Sequence, residues 1–336
     1  MRKLFTSLLL GTLVGCSDPV EKPDLAPPEV EDPIAALLEK GQAQDPNDEP
    51  NLQDPVDLRA RGNAFFAAGD YDQAIAFYNA SLDAKVDAKT IFNRGVAYMS
   101  KNDLDKALVD YDRAIGLEPK EASPRINRGL LLHRMGKTAQ GIADLSEALK
   151  LDPKDASIPL NRGLLHLGIN LFDQALADFT LALEIDPKYA DAYVNRGFCR
   201  HRMKRYADAV KDFDEAIKLA PSNVLAHSDR GNSHLQMAEY DKAVNDFSEA
   251  LRLEPRDAQL YNNRGSAFGG KGEHGKAAAD FSRAIELAPN LVSAYRNRGL
   301  AYHTLGETAK AREDFTTALQ MEPGVTDGIP RQYLTK

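Results

Sequence analysis

The chain contains no tryptophan, only two cysteines and no apolar run long enough to span a bilayer. Two cysteines cannot build a disulfide framework. Basic residues are not in excess: 42 Lys and Arg stand against 50 Asp and Glu, for a net charge of −8. The imbalance is local. Residues 17–54 hold 11 acids against Lys22 and Lys40, whereas residues 55–336 are close to neutral. Counterion-driven binding to a phosphate backbone needs a basic stripe, so nucleic acid is excluded as a partner. No nucleophile–base arrangement stands out from the surrounding pattern. Neither an enzymatic activity nor a cofactor is expected.

What the chain does have is a fixed interval. The triplet Asn-Arg-Gly begins at Asn93, Asn127, Asn161, Asn195, Asn263 and Asn297, and Asp229-Arg230-Gly231 keeps the register with Asp in place of Asn. Neighbouring copies stand 34 residues apart, the period of stacked helix–turn–helix units. Such an array is built from nearest-neighbour contacts and provides an extended concave surface suited to binding other proteins.

The first residues have a different character. Arg2 and Lys3 precede a short apolar stretch, Leu4 to Val14, which is the layout of a bacterial secretion signal. It ends in Leu13-Val14-Gly15-Cys16, which resembles the lipobox of bacterial lipoproteins. That resemblance implies removal of residues 1–15 and acylation of Cys16, with anchoring by two or more acyl chains. Ser17 at the following place resembles lipoproteins sorted to the periplasmic face of the outer membrane, in a host with two membranes. Residues 16–54 interleave seven prolines with acids and should form an extended tether. Within it, Asp32 to Gly41 has the signals of a short helix, readable as a fraying turn or as a docking segment.

From residue 55 the interval organises everything. With Gly95 as position 8 of a copy, eight copies begin at residues 55, 88, 122, 156, 190, 224, 258 and 292, and a tail follows residue 323. Position 20 is Ala in all copies but one, which has Gly141. Position 24 is aromatic in all but one, which has Leu145, and position 32 is Pro from Pro119 to Pro323. Ala107, Tyr111, Ala114 and Ile115 fall on one helical stripe. The prolines end the second helix of each copy. These residues resemble the tetratricopeptide repeat family. The resemblance implies an all-α fold, a right-handed superhelical solenoid of eight helical hairpins over residues 55–323.

Position 7 is Arg in every copy, and position 23 is Asp in every copy after the first, which has Phe77. The two positions are symmetric about a turn at position 15, so an antiparallel hairpin brings them level. An Arg–Asp pair is expected within each hairpin or to the adjoining one.

In the family resembled, positions 2, 5, 6, 9, 12 and 13 of the first helix face an inner groove. Position 6 carries Asn93, Asn127, Asn161, Asn195, Asn263 and Asn297. Carboxamides donate and accept, so this ladder could hold an extended peptide backbone or could bridge neighbouring helices. Positions 5 and 9 supply Phe92, Val96, Ile126, Leu130, Leu160, Leu164, Val194 and Phe198, then turn polar in the sixth and seventh copies. An exposed apolar floor would mark a docking site for an apolar or amphipathic partner segment. Burial of those side chains would remove that expectation.

Other features carry less. Gly270 to Lys276 has phosphate-loop spacing, but Ala277 replaces the hydroxyl residue that would hold Mg²⁺. His133, His201 and His303 share position 12 yet lie in separate copies, too far apart for one metal. Cys199 reads as a small packed residue. Ile329, Tyr333 and Leu334 could fold back over the last helix, or that end could be a surface for self-association. The sum is an expectation of a lipid-anchored adaptor for proteins or peptides in the bacterial cell envelope. The alternative is a non-catalytic subunit that delivers substrate to an envelope enzyme.

Overall fold

The computed structural model describes residues 54–326 and 328–334. The signal segment, Cys16, the tether to residue 53 and the Asp32–Gly41 segment lie outside the described residues. Among the described residues the chain is all-α, and it divides into two compact units that meet between Leu171 and Phe172.

The first unit contains α1 (Pro55–Ala67), α2 (Tyr71–Ala84), α3 (Ala88–Ser100), α4 (Leu104–Leu117), α5 (Ala122–Arg134), α6 (Thr138–Leu151) and α7 (Ser157–Gly168). The second contains α8 (Phe172–Ile185), α9 (Ala190–Arg202), α10 (Tyr206–Leu219), α11 (Val224–Gln236), α12 (Tyr240–Leu253), α13 (Ala258–Gly270), α14 (His274–Leu287), α15 (Val292–Thr304) and α16 (Thr308–Met321). A 3₁₀ turn, Arg331–Tyr333, closes the chain. The helices follow the interval read from the sequence, and each second helix after the first copy stops at the residues before its proline.

Local signals explain the boundaries. Asp87, Asn223 and Asp257 each accept a hydrogen bond from a backbone N–H two or three residues on, capping the first helices that follow them. Each turn between paired helices pivots on position 15, which takes a positive φ in all eight copies: Gly69, Gly136, Gly272 and Gly306, but also Asn102, Asn170, Lys204 and Ala238. At Ala238 φ is 58°, and Glu239 N–H reaches back to the carbonyl of His234 at 2.9 Å. This left-handed closure is the usual way to end one helix and reverse direction.

Small residues set the spacing within each hairpin. A Cβ at Gly95 would lie 2.8 Å from the ring of Tyr111, so glycine at position 8 lets the position-24 aromatic lie against the backbone. Tyr111, Phe179, Phe213, Phe247 and Phe315 have no exposed surface. Burying such a side chain stabilises by roughly 1.5–3 kcal/mol.

Expected Arg–Asp pairs form, and most of these Arg residues also reach the hairpin before them. Arg94, Arg230, Arg264 and Arg298 hold Asp110, Asp246, Asp280 and Asp314 through Nε and Nη2. Their Nη1 atoms donate to position 25 of the preceding copy: Asn79, Asp214, Ser248 and Ser282. Arg128 does the same with Asp144 and Asp112. Arg196 pairs with Asp212, which also receives Arg200. The position-23 acids are almost entirely buried, and their bidentate partners supply the hydrogen bonds that a buried carboxylate needs. In the first copy, where Phe77 replaces the acid, Phe65 and Phe77 stack at 5.2 Å instead.

Ile329 and Tyr333 of the C-terminal tail fold back over the last hairpin. Ile329 and Tyr333 are buried against Ala311 and Phe315 of α16, and the Tyr333 hydroxyl lies 3.2 Å from His303 Nδ1. Arg312 lies over the other side of the Tyr333 ring, 5.5 Å from its centre. Leu334 stays exposed.

Candidate functional site

Within each unit, successive first helices touch one another, whereas the second helices of neighbouring hairpins do not to a comparable degree. Each unit is therefore tighter on its first-helix side, which is the inner side. This geometry corrects the expected apolar floor. Phe92, Val96, Ile126, Leu130, Leu160, Leu164 and Val194 are buried, and Phe198 is half-buried. Phe92 and Val96 pack with Ile91, Tyr111 and Leu131, and Ile126 and Leu130 pack with Leu145, Ile158 and Leu165. On curved first helices these positions point into the seams between helices, so apolar side chains there become core.

The asparagine ladder divides likewise. Asn93, Asn127, Asn161 and Asn195 are buried. Asn93 Nδ2 donates to Asn63 Oδ1 of the preceding copy at 2.9 Å, and Asn195 Nδ2 donates to the carbonyl of Asp191 at 2.8 Å. In these two the carboxamide serves the stack. Asn263 and Asn297, with Asp229 at the same position of α11, are only half-buried.

Around those three the inner side of the second unit is polar. Positions 5, 6 and 9 bring together Ser228, Asp229 and Asn232 from α11; Asn262, Asn263 and Ser266 from α13; and Arg296 and Asn297 from α15. They form a connected track. Asn297 Nδ2 donates to Asn262 Oδ1 at 3.1 Å, Asn263 Nδ2 donates to Asn232 Oδ1 at 3.2 Å, and Gln259 Nε2 donates to Asn263 Oδ1 at 2.8 Å. Burial pushes the Asp229 carboxyl up to about 6, partly offset by Asn232. A carboxamide has two N–H donors and two oxygen lone pairs, so a ladder using one of each leaves donors and acceptors for a ligand.

Sequence reasoning placed Asn263 and Asn297 here and noted that the floor turns polar, but it put the weight on the apolar half. Arg296, Asn232 and Asn262 were on the right positions. Asp229 had its own signal, as the one departure from Asn in the triplet.

The remaining candidates have structural partners. His133 Nδ1 lies 3.0 Å from Thr138 Oγ1, and His201 Nδ1 lies 2.9 Å from Ser233 Oγ. Burial lowers the pKa of both. Lys271 pairs with Asp241 and Glu273, and Lys276 with Glu273, across the helix–helix turn that mimicked a phosphate loop. Cys199 is wholly buried, and burial pushes its thiol up to about 12.

Comparison with known proteins agrees with this architecture. Models described as tetratricopeptide repeat match residues 95–166 and 270–332, 228–292, 190–223 and 160–189. The Photosystem I assembly protein Ycf3 of Prochlorococcus marinus (strain NATL1A) is 40% identical over 70 residues, which are 20% of this chain and 40% of that protein. Tetratricopeptide repeat protein 12 of Homo sapiens is 41% identical over 64 residues, 19% of this chain and 9% of that one. The matches thus span less than half the length of these relatives. Among solved structures, a tetratricopeptide repeat protein from Parabacteroides merdae ATCC 43184 superposes with a TM-score of 0.56 at 23% identity, covering 74% of this chain and 97% of that chain. The Cut9-Hcn1 hetero-tetramer chain gives 0.56 at 15% identity, covering 83% and 54%. At these identities the likeness is one of fold.

Proposed function

The chain belongs to the tetratricopeptide repeat family, and from that premise we propose that it is a binding scaffold, not a catalyst, which holds an extended segment of a partner protein against the polar track of its second unit. The observation that carries this reading is the half-buried set Asp229, Asn232, Asn263 and Asn297, whose carboxamides keep unused N–H donors and, at Asn232 and Asn297, an unused oxygen lone pair on the inner side. A peptide backbone has the complementary groups at every residue, so such a surface can hold a strand with little dependence on its side chains.

The cellular setting is the second part of the proposal. Leu13-Val14-Gly15-Cys16 supports a lipid anchor at Cys16, and the proline- and acid-rich residues 17–54 support a spacer. A scaffold held on a membrane of the bacterial envelope would concentrate its partners there. Envelope assembly or maintenance is the role this arrangement fits.

Affinity capture from envelope extract tests the first part, using the full chain beside a triple variant, Asn232→Ala, Asn263→Ala and Asn297→Ala, shown to melt cooperatively. Proteins held by the parent and lost from the variant support the track; the same proteins held by both rule it out. For the second part, Cys16→Ser should move the protein from the membrane fraction to the soluble fraction. Unchanged fractionation would remove the anchor.

A further inference from the structure

The hydrogen bonds of the track all run one way. Arg296 Nη2 donates to Asn297 Oδ1 at 3.4 Å, Asn297 donates to Asn262 at 3.1 Å, Asn262 donates to Asn263 at 3.5 Å, and Asn263 donates to Asn232 at 3.2 Å. Asn232 in turn neighbours the Asp229 carboxyl and favours its charged form. The direction follows from the ends. A guanidinium can only donate and a carboxylate can only accept, so each amide between them turns its oxygen toward α15 and its nitrogen toward α11.

Both ends keep unmet charge. Neither Arg296 nor Asp229 forms an ion pair among the described residues. Arg296 Nε is buried without a hydrogen-bond partner. Position-7 arginines differ: Arg94, Arg128, Arg196, Arg230, Arg264 and Arg298 each hold a carboxylate. A half-buried charge without a counter-charge is unfavourable, and an arriving ligand that supplies one gains that energy on binding.

We propose that the track selects an amphoteric partner segment, with a carboxylate that docks on Arg296 and an ammonium or guanidinium, spaced across the three inner helices, that docks on Asp229. The inference rests on the track being the binding face. The carboxamides between the ends hold the backbone, and the ends supply the choice of segment. A segment with the two charges exchanged in space would set like against like at both ends.

A displayed library of linear peptides, selected against the full chain, tests this. Enriched peptides should carry one acid and one base at a constant separation. Replacing either charged residue of an enriched peptide by Gln should weaken binding at least about ten-fold, a test that leaves the protein untouched. Asp229→Asn should abolish the preference for the base alone, and Arg296→Gln the preference for the acid alone. Both substitutions keep a group able to continue the hydrogen-bond chain. Enriched peptides that require Asn263 but show no paired charges would overturn the charge selection and leave the track as the binding face. If no enriched peptide loses binding in Asn263→Leu, both readings fall.

Discussion

Arg230 and Asp214 belong to different hairpins, and Arg230 Nη1 joins them at 2.7 Å while the rest of the same guanidinium holds Asp246 of its own hairpin. One side chain therefore fixes both the fold of a copy and its junction with the copy before it. The two acids differ sharply in exposure, 7% for the Asp246 side chain and 52% for Asp214. Asp246→Asn should cost about 3–5 kcal/mol, because it leaves the half-buried guanidinium with only the exposed Asp214 as counter-charge. Asp214→Asn should cost no more than about 1 kcal/mol. Urea unfolding followed by circular dichroism separates the two, and equal losses would contradict the division of labour.

Burial holds the Asp229 carboxyl above the ordinary aspartate range, at about 6. The folded state therefore binds its proton more tightly than the unfolded state. The stability this contributes is complete below about pH 4 and is lost as pH rises through 6. Asp229→Asn removes that loss. At pH 7 the variant should be more stable than the parent by about 1–2 kcal/mol, allowing for partial solvation, and the advantage should vanish by pH 4. Thermal melts across that range check the sign, and an advantage that grows toward low pH would be the wrong one.

Ala238 sits at φ 58° in the turn where four other copies have glycine. A side chain in the left-handed region costs roughly 1–2 kcal/mol, only part of which glycine gives back through its freer unfolded chain. Ala238→Gly should raise stability by about 0.5–1 kcal/mol in urea titration. Lys204→Gly should do the same at φ 61°.

The tail is the end cap of the second unit. Tyr333 lies 4.8 Å ring to ring from Phe315 and meets His303 edge-on. Tyr333→Ala should destabilise the α15–α16 hairpin by about 2–4 kcal/mol. Hydrogen exchange should quicken in those helices while α9 and α10 keep their protection, as expected when each copy is stabilised by its neighbours alone. Uniform loss of protection would show the array unfolding as one body.

Most of the fold was legible because it rests on local, periodic rules. Gly95 against Tyr111, the run of position-32 prolines and the level placement of Arg94 and Asp110 all follow from helix geometry and a fixed interval. The site was legible only in part. Position 5 carries Phe92 in one copy and Asn262 in another, and the periodicity cannot tell whether such a position faces open space or a seam. That depends on curvature, which is set jointly by many contacts between helices. The second bond of each Arg to the copy before it was left open for a similar reason: the spacing from position 25 to the next position 7 is constant, but only packing brings the two together. Nor did the sequence reveal the direction of the amide chain from Arg296 to Asp229, which requires six side chains from three helices.

The double attachment of Arg94, Arg128, Arg230, Arg264 and Arg298 also makes their hairpins interchangeable parts. Asn79, Asp112, Asp214, Ser248 and Ser282 differ in charge and size, yet each accepts the guanidinium of the next copy. The joint is thus generic: a copy excised or duplicated between two others would find the same socket waiting. The first copy is the exception, since Phe77 removes its own acid while Asn79 still serves its successor. Because the joint does not depend on which of these residues accepts, copies could be gained or lost between others over evolutionary time without a redesign of the junction.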